Sequence, residues 1–302
     1  MKRYWMEEIP PLREPALIAA FAGWNDAAES ATTAVQVLIQ EWSAKRFAGI
    51  DPEEFYVFTE TRPRVRIVGA SHRQIDWPAN EFHHLRTPDS PRDYVVLVGI
   101  EPQLRWKSFT GAILGVVKEL DVKLLVTLGG LLADVPHTRP PRLTGSATDS
   151  ALQRRLRGLH VGGSRYEGPT GILGVLGTAA REQGLASASV WGNVPHYIST
   201  SSNPRVSLAM LRQLGRLLDL ELDLAELAGQ ADSFDAQVSE IVSRNSEVAE
   251  YVRQLEQREG GPSEEGSPPT PPVELPSSDL LIKELEEFLK RRPTDGEEGD
   301  AK

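Results

Sequence analysis

The sequence predicts an α/β fold built around a mostly parallel or mixed sheet. Residues 93–102 and 122–130 each contain a run of apolar residues that does not alternate with polar ones, which is typical of strands buried on both faces. Between them, residues 106–120 place their apolar side chains at helical spacing. Strand, helix and strand in this order form a βαβ unit, and its crossover should be right-handed.

Composition is typical of a soluble globular protein. The chain has 302 residues, of which 40% are apolar and 25% charged. It contains no cysteine, which excludes disulfides, thiolate zinc sites and a cysteine nucleophile. The N-terminus lacks the apolar core of a signal peptide, and no apolar run is long enough to span a membrane. A cytoplasmic location is therefore predicted.

Charge is concentrated at the C-terminal end. Residues 259–302 contain 12 acidic and 5 basic side chains, so they carry −7 of the total −10. The rest of the chain is nearly balanced. This distribution argues against nucleic acid as the main partner, because nucleic-acid binding needs a basic surface.

The first strand and helix meet at an unusual turn. Residues 16–21 are apolar, and a helical pattern follows over residues 26–42. Asp26 is predicted to be the N-cap, with Glu29 as its capping-box partner. The same turn would place Trp24, Asn25 and Asp26 at the carboxyl end of a strand, where open α/β sheets bind ligands. The sequence leaves two interpretations of this turn open, a structural helix cap and a ligand site.

Three arginines alternate with apolar residues in the next predicted strand. Arg62, Arg64 and Arg66 would share one face, and Pro63 would confine the strand to a sheet edge or to its start. A charged edge that blocks strand pairing is the favoured interpretation, and a surface for an acidic partner is the alternative.

The middle of the chain continues the alternation of strands and helices. After a proline-rich loop at 131–141, helices are predicted at 150–156, at 172–183 and at 204–220, the second of them with Pro169 as its start signal and Gly184 as its C-cap. Further strands are predicted at 161–166 and 186–190.

A long C-terminal helix is predicted from residue 221 to residue 255. Its apolar residues fall at heptad spacing from Phe234, and Asn245 occupies a seam position that could fix register. The pattern lasts about three heptads, which favours an intrachain hairpin over an intersubunit coiled coil. The predicted organisation is a core at 1–225, the long helix at 226–258, a disordered linker at 259–278, a tethered amphipathic helix at 279–291 and a disordered tail at 292–302.

No common catalytic or cofactor motif occurs. A P-loop, a dinucleotide fingerprint, a nucleophile elbow and a His-Glu-x-x-His pattern are all missing from the sequence. The six histidines lack metal-ligand spacing. The sequence therefore predicts no catalytic residues, no metal and no cofactor.

Polar residues nevertheless follow several predicted strands. If those strands are parallel, their carboxyl ends converge on one crevice. The candidate crevice residues are Trp24, Asn25, Asp26, Glu101, Asp134, His137, Arg139, Arg165, Tyr166, Glu167 and His196. The alternative is that each of these groups caps a helix or braces a loop, as polar residues in turns often do.

Four stretches carry a family resemblance. They are GWNDA at 23–27, LLADVPHTRP at 131–140, SRYEGPTGI at 164–172 and VPHY at 194–197. From about residue 15 to 225 the chain resembles the actinobacterial branch of the proteasome assembly chaperone family, second-subunit type.

The resemblance implies a three-layer α/β/α sandwich, similar to nucleoside phosphorylases, that assembles into rings or other homo-oligomers. It also implies a protein partner, because relatives bind proteasome subunits. The predicted function is non-enzymatic protein binding of an assembly-chaperone type, with no membrane or nucleic-acid partner. The alternative is an enzyme or sensor for a small anionic or nucleoside-like ligand. In that case His137 or His196 would be the acid/base. Arg139 and Arg165 would hold an anion, and Glu101 or Asp26 would orient a hydroxyl.

Overall fold

In a computed structural model the chain forms one large mixed sheet with helices on both faces. The structure describes residues 2–69, 72–86, 90–164, 166–198 and 202–259. The strands are β1 (Tyr4–Met6), β2 (Ala16–Ala22), β3 (Lys45–Ile50), β4 (Arg64–Val68), β5 (His72–Asp76), β6 (Asn80–Leu85), β7 (Tyr94–Ile100), β8 (Leu124–Ala133), β9 (Leu143–Ala147), β10 (Gly162–Gly163) and β11 (Ala186–Pro195). The helices are α1 (Ser30–Glu41), α2 (Trp106–Glu119), α3 (Ser150–Gly158), α4 (Ile172–Glu182), α5 (Pro204–Leu218), α6 (Ala225–Arg244) and α7 (Ser246–Glu259).

Nine of the strands form the main sheet in the order β1-β3-β6-β7-β2-β8-β11-β9-β10. The central strands β7, β2, β8 and β11 are parallel, while β1, β3 and β6 pair antiparallel on one side. The predicted βαβ unit is present, with β2 lying between β7 and β8. The central strands consequently end at one edge, as the sequence predicted.

Two hydrophobic cores, one on each face of the sheet, make the fold a three-layer α/β/α sandwich. On one face Ala16, Ile18 and Ala20 pack with α1 and α5. On the other face Leu17 and Phe21 pack with α2 and α4. Alternate residues of β2 thus enter opposite cores, which explains why its apolar run is continuous. The predicted fold class is confirmed.

The C-terminal helix is not continuous, so that prediction was wrong. α6 ends at Arg244 and α7 begins at Ser246. Asn245 has an extended backbone, and its Oδ1 accepts hydrogen bonds from the backbone N–H groups of Glu247 (3.1 Å) and Val248 (3.2 Å). Asn245 is therefore the cap of a new helix, not a polar residue in a coiled-coil seam.

The two helices form a third core with the end of β11. Val238 and Ile241 of α6 pack with Val248 and Val252 of α7, and the cluster also includes Tyr197. The linker, the tethered helix and the tail lie outside the described residues, apart from Glu259, the last residue of α7. Their boundaries stay predictions.

The region after the proline-rich loop also differs from prediction. The expected strand at 161–166 is reduced to Gly162–Gly163, whereas α4 begins at Ile172 as predicted. Strand β9, which pairs antiparallel with β11, was not predicted. Its sequence, LTGSA, contains one large apolar residue and so lacks a strand-like apolar run.

The arginine-rich strand lies outside the main sheet. β4 and β5 form a separate two-stranded hairpin, with Val65 opposite Ile75 and Ile67 opposite Arg73. Arg64 and Arg66 lie on the other face, where Arg66 contacts Asp76 at 2.7 Å. Among the described helices, none is both long and apolar enough to cross a bilayer.

Candidate functional site

The turn after β2 separates its three predicted site residues. Gly23 has a φ of +125°, and a Cβ there would lie 3.2 Å from the Cβ of Glu101. Glycine is therefore required both by the backbone conformation and by the close approach of Glu101. After this turn Trp24 is 64% exposed, whereas Asn25 and Asp26 are buried.

Asn25 and Glu101 join the ends of β2 and β7 to helix α4. The side-chain amide of Asn25 donates to Oε1 of Glu101 at 2.6 Å. The same oxygen accepts a hydrogen bond from the backbone N–H of Ile172, the first residue of α4, at 2.7 Å. A carboxylate at a helix N-terminus is favoured by the helix dipole. Both residues therefore act in positioning α4.

Asp26 serves the N-terminus of α1. Its Oδ1 accepts from the backbone N–H of Ala31 at 2.6 Å, and its carboxylate also accepts from the backbone N–H and hydroxyl of Thr32. The predicted capping box with Glu29 is wrong, because residues 27–29 form a 3-10 turn in which Ala28 and Glu29 have positive φ. Burial raises the pKa of Asp26, and the hydrogen bonds from Thr32 and Ala31 oppose that rise.

His137 lies inside the protein at the end of the loop after β8. Tyr197 Oη accepts from the backbone N–H of His137 at 2.6 Å and lies 2.8 Å from its Nδ1. A hydroxyl that accepts one bond can donate its proton to Nδ1, which leaves Nε2 facing Ser239 at 3.4 Å. Burial, aided by the charge of Arg205, lowers the pKa of His137 to about 4. His137 is therefore neutral at physiological pH.

His196 belongs to a neighbouring aromatic cluster. Its Nδ1 lies 3.1 Å from Oδ1 of Asp134 and 3.3 Å from the carbonyl of Ala133, while Nε2 lies 3.4 Å from the hydroxyl of Tyr251. The rings of His196, Tyr197 and Tyr251 are edge-to-face. These contacts fasten α7 to the end of the sheet.

The remaining predicted residues are placed elsewhere. Arg139 and Glu167 are exposed, and Tyr166 is an exposed ring whose hydroxyl donates to the carbonyl of Pro169 at 2.9 Å. Arg165 lies outside the described residues. The structure thus distributes the candidate residues over the α4 anchor, the α1 cap and the histidine clusters, and does not gather them in one crevice.

One large cavity is present, and most of its residues were not predicted. It has a volume of about 500 Å³ and lies between α4 and strands β8, β9 and β11. Trp24 and Tyr166 are the predicted residues that line it. The strand side presents hydroxyl groups, from Thr127, Thr144, Ser146, Thr148, Ser187 and Ser189. Alternating Ser and Thr at 187, 189, 144 and 146 was the sequence signal for this polar face.

A second, minute cavity adjoins His137 and Arg139. Its volume is about 10 Å³, which leaves room for no more than a single water. Within the described part of the chain, no group of three His, Asp or Glu side chains is arranged to hold a metal ion. The histidine region therefore offers no ligand pocket of its own.

The fold and the site together define a class of protein. It is a three-layer α/β/α protein that has an open, hydroxyl-lined cavity and whose strand-end polar residues mostly position helices. The chain belongs to the PAC2 family, whose model matches residues 20–242.

Two solved structures from actinobacteria are similar over most of the chain. A PAC2 family protein from Streptomyces avermitilis is 42% identical, with a TM-score of 0.73, covering 79% of this chain and 99% of that one. A proteasome-assembly chaperone homologue from Mycobacterium tuberculosis is 40% identical, with a TM-score of 0.71, covering 78% of this chain and 99% of that one.

A more distant structure shares the fold. An archaeal proteasome activator from Pyrococcus furiosus is 22% identical, with a TM-score of 0.64, covering 80% of this chain and 99% of that one. No curated protein matched the chain.

Proposed function

We propose that this protein is a cytoplasmic, homo-oligomeric, non-enzymatic protein-binding factor that acts in proteasome-linked assembly. Membership of the PAC2 family supports the proposal, as does the 40% identity to a proteasome-assembly chaperone homologue. The observation on this chain that carries it is the β4–β5 hairpin, which presents an apolar surface to solvent.

One face of the hairpin carries three exposed apolar side chains beside Arg73, and the other face carries Arg64 and Arg66. Val65, Ile67 and Ile75 share a face and are 57%, 67% and 53% exposed. Trp77 follows β5, is half exposed and packs its ring on Phe58 at 4.9 Å. A contiguous cluster of exposed large apolar side chains is a feature of protein interfaces.

A second copy of this chain is the partner that the charge distribution favours. Residues 62–76 contain four arginines and a single acid, in a chain whose net charge is −10. A basic, apolar hairpin therefore complements the acidic segment 259–302 of another copy, which carries −7 of that charge. Trp and Arg are also the residue types enriched at interface hot spots.

The geometry gives less support to the enzymatic alternative. His137 is buried and bonded to Tyr197, and Glu101 and Asp26 each accept hydrogen bonds at a helix N-terminus. A general acid or base must reach its substrate within hydrogen-bond distance. These groups are instead engaged with the fold.

The proposal is tested by co-expressing the chain with the proteasome α and β subunits of its own organism and analysing affinity-purified material by native mass spectrometry. A complex containing this chain and at least one proteasome subunit is expected. A second preparation lacking residues 259–302 shows whether the acidic C-terminal segment is needed. Absence of a proteasome subunit from both preparations would contradict the proposed link.

A further inference from the structure

The cavity under α4 exists because both of its walls carry small residues. The strand wall has serines and threonines where the same face of β2 has Leu17 and Phe21. The helix wall includes Gly177, in the middle of α4, and a Cβ at this position would meet no atom within 4 Å. Glycine inside a helix costs about 1 kcal/mol relative to alanine. Close packing therefore does not explain Gly177, whereas open space for a ligand does.

One end of the cavity is aromatic. The indole of Trp191 lies directly over Gly129 of β8, since a Cβ at Gly129 would be 2.6 Å from two of its ring atoms. Trp24 and Tyr166 stand at the rim, both largely exposed. Such rings bind flat apolar groups by stacking or edge-to-face contact.

The other end is basic. Arg181, in the last turn of α4, is the only charged side chain among the described lining residues, and it forms no ion pair within the described part of the chain. Thr178 lies one turn earlier, and Ser187 begins the strand wall. The hydroxyls of Thr178 and Ser187 donate to no described residue, so they remain available to a ligand.

The charge of the ligand follows from this lining. A lone guanidinium without a neighbouring acid favours an anion. The C-terminal end of α4 carries the negative end of the helix dipole, which disfavours a doubly charged group such as a phosphate monoester more strongly than a singly charged one. A carboxylate meets both conditions.

The distance between the aromatic and basic ends of the cavity follows from residue positions along β11. Ser187, which lies six positions after Arg181 at the start of β11, and Trp191 are four residues apart on that strand, which corresponds to roughly 13 Å of extended chain. We propose that this cavity binds an elongated aromatic monocarboxylate, with its ring on Trp191 beneath Trp24 and its carboxylate at Arg181. Binding without turnover is expected, because no carboxylate or histidine is among the described lining residues. The inference is independent of the protein-binding role.

The test uses 8-phenyloctanoate, with 8-phenyloctanamide as its neutral analogue and phenylacetate as its short analogue, measured by isothermal titration calorimetry on the full chain. The acid should bind at least about 10-fold more tightly than the amide, because the amide loses the charge-assisted hydrogen bond. Phenylacetate should also bind at least about 10-fold more weakly, since it cannot reach both ends. Equal affinities for acid and amide, or no measurable binding of the acid, would overturn the proposal.

Two variants locate the site. Gly177→Leu should place its side chain in the cavity and abolish binding while circular dichroism stays unchanged. Arg181→Gln should remove the preference for acid over amide, whereas Arg157→Gln, at an equivalent exposed position in the last turn of α3, should keep it. Retained acid preference in Arg181→Gln would overturn the assignment, even if Gly177→Leu fails to fold.

Discussion

Polar residues at the N-terminus of helix α4 and polar residues along the cavity have different roles. At the helix N-terminus, Oε1 of Glu101 accepts hydrogen bonds from the side-chain amide of Asn25 at 2.6 Å and from the backbone N–H of Ile172 at 2.7 Å. Along the cavity, Thr178 and Ser187 have hydroxyls that donate to no described residue, and Arg181 has no described acidic partner. The first set positions the helix, and the second set is available to bind something else.

This difference shows that the position of a polar residue at the end of a strand does not by itself reveal its role. A carboxylate after a parallel strand suggests catalysis by its position, but its hydrogen-bond partners decide its role. Glu101 and Asp26 each accept backbone N–H groups from the start of a helix. The unengaged polar groups line the cavity between α4 and β11 instead: Thr178 and Arg181 on the helix and Ser187 on the strand.

Replacing Asn25 should have the largest effect on stability. Asn25→Ala removes a fully buried amide and leaves the Glu101 carboxylate without one of its donors. We expect a loss of about 3 kcal/mol in the free energy of unfolding, measured by urea denaturation. Trp24→Ala, in the same turn but exposed, should change it by less than about 0.5 kcal/mol. Equal losses in the two variants would show that the turn does not anchor α4.

His137 should make the protein sensitive to acid. Its pKa is lowered to about 4 in the folded state from an ordinary value of 6.5, so the unfolded chain takes up a proton first as the pH falls. This contribution to stability is complete above pH 6.5 and is lost progressively between pH 6.5 and 4. We expect about 2 kcal/mol less stability at pH 5 than at pH 7.5 from this group.

The control for that dependence is His137→Asn, which cannot titrate in this range. Urea denaturation of both proteins across pH 4–7.5 gives the free energy of unfolding as a function of pH. Between pH 6.5 and 4 this free energy should fall more steeply for the original chain than for His137→Asn. Parallel curves would mean that His137 is accessible to protons in the folded state.

Two glycines of α4 should respond in opposite directions to alanine. A Cβ at Gly177 would meet nothing within 4 Å, so Gly177→Ala should stabilise the protein by up to about 1 kcal/mol. A Cβ at Gly174 would lie 2.0 Å from Oγ1 of Thr170, so Gly174→Ala should be destabilising. Thermal unfolding by calorimetry checks the pair, and a destabilising Gly177→Ala would show that the cavity wall is closed at that point.

The sequence predicted the central elements because their signals are local. Continuous apolar runs located β2, β7 and β8, and helical spacing located α1 and α2. β9 was missed because a strand of small and polar residues has no such run, although β11 supplies its pairing partner. The break at Asn245 was missed because the apolar spacing continues through it, while the capping bonds depend on backbone conformation.

The site was harder to predict for a different reason. The bond from Ile172 to Glu101 joins residues 71 positions apart, so no local pattern indicates it. The 3-10 turn before α1 depends on two residues with positive φ, neither of which is glycine. The cavity results from small side chains on two separate elements, and its existence depends on how those elements pack.

We propose that copies of this chain bind one another through the β4–β5 hairpin, whereas the turns after the strands position helices α1 and α4. The most direct measurement is the native mass of the purified chain compared with Ile67→Asp, which adds a charge to the apolar face. Gln74→Asp adds the same charge to the opposite face of the hairpin and is the matched control. We predict an oligomer for the original chain and for Gln74→Asp, and a monomer for Ile67→Asp. A monomeric original chain, or an Ile67→Asp variant with an unchanged oligomer mass, would contradict the account.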